Sequence, residues 1–139
     1  MTSGPIGAPV RRTVAFVVTA IGLGSFVVGG LLIVVGAPDV EVAGALIRGM
    51  QLVSGMIVAA ALAFAIGWRS RVASTPTHPQ RYLSGTLIAA AVSEAGFLGA
   101  VIAYLFSPDL LLVVGSAILY VAGLLILLST TRTVDLGGE

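Results

Sequence analysis

The chain has 139 residues, 58% of them apolar and only 9% charged, against about 25% in an ordinary soluble domain. Mean hydropathy is +1.11, cysteine is absent, and seven arginines against six acids leave a net charge of +1. Such a composition excludes a soluble enzyme, a disordered tail, a disulfide scaffold and an electrostatic binder of nucleic acid. What remains is an integral membrane protein.

Four apolar stretches each exceed the ~20 residues that cross a bilayer core of ~30 Å. They are continuous rather than alternating, which favours helices over barrel strands. The first, residues 13–36, follows the basic pair Arg11-Arg12. A signal core spans only about 7 to 15 residues, so this longer stretch is read as a membrane span. Ala15, Gly22, Gly29 and Gly36 recur along it every seven residues, with Ser25 between, and form a smooth stripe for close packing. Ala37-Pro38-Asp39 then makes a turn, with Asp39 placed to cap the next helix.

The second span, residues 43–68, carries Gly55, Ala59, Ala63 and Gly67 at every fourth position. Arg48 and Gln51 share a face with Gly55, and the Arg48 stem is long enough to snorkel to the headgroups. Residues 69–81 read as a loop, because Pro76 and Pro79 forbid a continuous helix. His78 within it has no second ligand nearby and is read as a solvated residue. The third span, residues 82–106, has Ala89, Ser93, Gly96 and Ala100 as its small face. Ser107-Pro108-Asp109 repeats the earlier turn. The fourth span, residues 110–130, is dominated by large aliphatics around Gly115 and Ala122. It is therefore expected to face lipid most, leaving the first three helices as the close-packed part.

Six arginines (11, 12, 69, 71, 81 and 132) fall on one side of this arrangement. Asp39, Glu41 and Asp109 fall on the other, with Arg48 the exception. The positive-inside rule places both termini and loop 69–81 in the cytoplasm. Trp68 and Tyr82 flank that loop, where amphipathic rings favour the headgroup zone. The expected fold is all-α, a single transmembrane domain of four helices over residues 1–139. Arg11 to Pro38 and Arg81 to Pro108 have equal spacing, as two tandem hairpins would.

Glu94 stands out chemically. It lies twelve positions from either end of the third span, about 18 Å at 1.5 Å per residue. A carboxylate at that depth is costly, so it is expected to be protonated, paired or facing water, and to mark a function. Gln51, Ser54 and Thr19 are its candidate partners, Gln51 foremost. An Arg48–Glu94 pair is disfavoured because the two side chains tilt apart along antiparallel helices. Ser93 beside it has no base or oxyanion hole that would make it a nucleophile, so it joins Glu94 and Gln51 as a proton- or cation-binding candidate.

The run from Gly85 to Phe106 resembles the carboxylate helix of the rotary ATPase c subunit, the proteolipid. Ser93, Glu94, Ala95, Phe97, Gly99 and Val101 carry the resemblance, after an Arg- and Pro-containing loop from Arg71 to Arg81. It covers under a quarter of the chain. The preceding helix has Gly44, Gly49 and Gly55 in place of the family's tight glycine run. The resemblance implies that Glu94 loads and unloads a proton. Small multidrug resistance transporters share the size and the helix number, but their carboxylate lies in the first helix, which here holds no acid.

The sequence thus describes a small non-enzymatic membrane protein without cofactor or metal. Its expected partners are the lipid bilayer and other membrane helices, as a homo-oligomer or a complex subunit. A purely structural subunit and a small proton-coupled transporter acting as a dimer are the alternatives.

Overall fold

A computed structural model of the chain describes residues 7–136. Over these residues it forms four helices, α1 (Gly7–Val35), α2 (Gly44–Ser74), α3 (Pro79–Phe106) and α4 (Leu110–Thr133), each long and apolar enough to cross a membrane.

Helices end where caps and prolines stop them, not where hydropathy does. Arginine is a good helix former, so α1 begins before Arg11 and α2 carries Arg69 and Arg71 beyond the apolar stretch. The loop expected over 69–81 therefore contracts to residues 75–78. Thr75, which precedes Pro76, is extended at φ −132° and ψ 129°, as the proline ring demands of its neighbour. Pro79 then opens α3, and His78 Nδ1 accepts the Gln80 backbone N–H at 3.3 Å. Asp109 caps α4 by accepting from Leu112 N–H at 3.2 Å. Asp39 does not cap α2, whose cap position is held by Ala43 with no side-chain bond.

Gly36 ends α1 in the left-handed region, φ +83°, with its N–H on the Leu32 carbonyl at 3.0 Å. Nothing would meet a Cβ there, so its role is the C-terminal cap rather than helix packing.

The packing departs from the expected order. α3 and α4 each touch the other three helices, whereas α1 and α2, joined by a short connection, do not touch. α3 and α4 thus form the central pair, with α1 and α2 flanking them on opposite sides. Two equivalent hairpins are not what is built, since only the second pair packs on itself. The expectation that α4 faces lipid most also fails. In lipid the driving force is fit rather than hydrophobicity, and a large residue completes a contact when its neighbour is small. Leu124 of α4 seats over Gly22 of α1, 2.8 Å from where a Cβ would be, and Gly123 lies beside Ser93 of α3.

Other glycines admit α3 to its neighbours. A Cβ on Gly96 would stand 2.5 Å from Val58 Cγ2 and 3.0 Å from the Val58 backbone nitrogen. Gly99 receives the Ser54 hydroxyl, Gly85 receives the Trp68 indole, and Gly29 of α1 lies against Phe97 and Val101. Gly55 meets Leu112 at 3.9 Å, while Ala59, expected on a contact face, is exposed.

The arginine-rich end is closed by the chain that follows α4. Asp135 N–H donates to the Val72 carbonyl (3.0 Å), and its own carbonyl accepts from Thr77 N–H (2.8 Å). Arg11 donates to the Val134 carbonyl at 2.9 Å. Val134 and Leu136 are buried, so this short segment ties the ends of α1, α2 and α4 and the 75–78 turn together.

Candidate functional site

The interior of the bundle holds three side-chain hydrogen bonds between helices, among the described residues. Tyr120 of α4 donates to Ser25 of α1 (2.9 Å), and Ser25 in turn donates to the Ile21 carbonyl (2.7 Å). Trp68 of α2 donates to Thr86 of α3 (3.0 Å), and the Tyr82 and Thr130 hydroxyls pair at 2.8 Å between α3 and α4. The last two lie toward the arginine-rich end. They show Trp68 (9% exposed) and Tyr82 (0%) packed within the bundle at that end. The indole N–H and phenol O–H need partners wherever they sit, and here Thr86 and Thr130 supply them.

The first bond lies in the layer of Glu94. α1 and α3 both start from the arginine-rich end, and Gly29 meets Phe97 and Val101, which puts Ser25 level with Ser93 and Phe97. Phe97 stacks on Tyr120 with centroids 4.9 Å apart and planes 2° apart, and Phe26 closes the cluster at 5.1 Å from Phe97. Glu94 precedes Phe97 by three positions on α3 and is half-buried. Ser93 is 3% exposed, and its hydroxyl has no hydrogen-bond partner. A carboxyl, an unpartnered hydroxyl and a hydrogen-bonded tyrosine–serine pair thus share one layer of the bundle.

Gln51 does not join this layer. α2 packs on the face of α3 that presents Gly85, Gly96 and Gly99, and Glu94 is about 200° around the helix from Gly96. Gln51 lies almost one turn beyond Ser54, across α3 from the carboxyl, and Ser54 itself meets Gly99. Thr19 and Arg48 are exposed, and none of the side-chain hydrogen bonds among the described residues engages Arg48, Gln51 or Glu94. Ser25 and Tyr120 were missed as a pair because a bond between the first and fourth helices has no local signature.

No protein-family model, curated protein or solved structure matches this chain.

Proposed function

We propose that this small integral membrane protein binds a proton at Glu94, as a subunit of a membrane assembly. The observation that carries the reading is the position of Glu94. It is the sole acid within the four spans, half-buried, next in sequence to the unpartnered Ser93 and level with the Ser25–Tyr120 bond. An intramembrane carboxyl is costly and is retained where it does chemistry. The likeness of α3 to the carboxylate helix of the proteolipid supports the same reading, with Glu94 loading and unloading a proton at the lipid-facing side.

Modification by a hydrophobic carbodiimide in native membranes tests it, with Glu94→Gln as control. Labelling at Glu94 that fades as the medium is made alkaline is the expected result. Absence of labelling at every pH would mean a sealed, structural carboxyl. Proton flux in liposomes that is lost with Glu94→Gln would identify transport as the form the binding takes.

A docking role is favoured by one separate observation. Of the small residues spaced every fourth position on α2, Ala59, Ala63 and Gly67 face outward, which leaves a smooth strip open to another helix. Ala63→Leu is expected to weaken an oligomer or complex seen by crosslinking in membranes, with no effect on Glu94 labelling. Both termini and the arginine-rich end are assigned to the cytoplasm by the positive-inside rule.

A further inference from the structure

The seam between α2 and α3 changes character along its length. At the arginine-rich end it opens into a cavity of about 280 Å³ whose lining includes Trp68, Arg71, Thr77, His78 and Arg81. Deeper in the membrane the same two helices enclose an apolar groove of about 350 Å³ between Ala60, Phe64, Ile88, Ala89 and Val92. Phe64 stacks on Trp68 at 5.9 Å and 13°, so the indole side chain connects the groove to the cavity.

Both features lie on one row of each helix. Arg71, Phe64 and Ala60 are spaced seven and four apart on α2, and Arg81, Ile88 and Val92 are spaced the same way on α3, which puts each trio on a single face. From arginine to groove floor is eleven residues on either helix, about 16 Å, or roughly half of a ~30 Å hydrocarbon core. That is the depth of one leaflet. His78 Nδ1 already accepts the Gln80 N–H, which leaves Nε2 as the nitrogen free to donate.

We infer that this seam binds an anionic phospholipid, its phosphate held by Arg71 and Arg81 with His78 beside them, and an acyl chain laid along Phe64, Ile88 and Val92. Two guanidinium groups above an apolar trough match a phosphate ester joined to a hydrocarbon tail, and arginine forks suit phosphate oxygens. A free phosphate would use the cavity and leave the groove to bulk lipid. A partner helix would use the groove and leave the arginines without an anion. The inference stands independently of Glu94, which lies off this face of α3.

Trp68 is the single tryptophan and lines the cavity, so its fluorescence reports on the seam. The full chain is reconstituted in phosphatidylcholine, with a small fraction of brominated-chain phosphatidylglycerol or, in a matched sample, brominated phosphatidylcholine. Quenching of Trp68 by the anionic lipid at lower mole fraction than by the zwitterionic one is expected, with each arginine contributing roughly fivefold to the preference. Arg71→Gln with Arg81→Gln should abolish the preference, while Arg132→Gln, at the same end but off the seam, should leave it. Ala60→Phe, which fills the groove without changing charge, should weaken quenching by the anionic lipid. Equal quenching by the two lipids, or an equal loss with Arg132→Gln, would overturn the inference. So would a Trp68 response to inorganic phosphate in detergent with no lipid preference, which would assign the cavity to a free anion. Circular dichroism of the double variant confirms that a lost preference is not a lost fold.

Discussion

Gly96 and Gly24 lie on neighbouring spans and look alike in sequence, yet the structure gives them opposite duties. A Cβ on Gly96 would strike both a side chain and the backbone of Val58, whereas nothing lies within 4 Å of one on Gly24. Gly96→Val is therefore expected to destabilise by about 1–3 kcal/mol or more, since the obstructing backbone cannot step aside. Gly24→Val should cost nearly nothing. Reversible unfolding in mixed micelles measures both, and similar costs for the two would contradict the packing. The Trp68–Thr86 bond invites a second comparison. Thr86→Val keeps the volume and removes the acceptor, and the expected loss is about 0.6 kcal/mol, up to about 1.7, because the unfolded chain in a membrane also finds partners. A shift in Trp68 emission should accompany it, as the indole N–H loses its bond.

At the scale of elements, the four spans were legible because composition alone marks a stretch that lipid will accept. Their ends were not. Arg69 and Arg71 mark the edge of the apolar layer, and the hydropathy reading stops there. The α2 backbone continues to Ser74 because its carbonyls still need N–H partners and only Pro76 interrupts the supply. The segment after α4 was likewise invisible, since Val134, Asp135 and Leu136 form no periodic element. Its importance comes from backbone bonds to Val72 and Thr77. Truncation after Thr133 removes those bonds and the carbonyl that Arg11 uses. It is expected to loosen the arginine-rich end, seen as faster tryptic cleavage at Arg69 and Arg71 in intact proteoliposomes. Unchanged cleavage would mean that the tail contributes nothing to closure.

For the whole molecule, the arrangement of helices can be tested directly because the chain has no cysteine. Gly29→Cys with Val101→Cys joins α1 to α3 where the two residues pack together, and a disulfide is expected to form on mild oxidation. Gly30→Cys with Gly49→Cys, placed equally far from the connection between α1 and α2, should stay reduced within one chain, since those helices do not touch. The reverse pattern would restore the tandem hairpin expected from the repeated spacing of arginine and Pro-Asp. Impermeant thiol reagents add the orientation: Thr133→Cys should react from the cytoplasmic side and Val40→Cys from the other.

The sequence by itself marked four stretches long and apolar enough to cross a bilayer, the end that collects the arginines, and the one carboxyl that lies midway along a span. These follow from the transfer cost of each residue, a property summed locally along the chain. Only the tertiary structure decided which helices touch, that α3 and α4 occupy the centre, and that the Ser25–Tyr120 bond, rather than Gln51, lies level with Glu94. In water, the apolar face of a helix announces the side that is buried. In lipid both sides are apolar, so neighbours are chosen by the fit of small residues to large ones and by a few buried hydrogen bonds. That fit exists only between two surfaces, and a single strand of sequence shows one of them at a time.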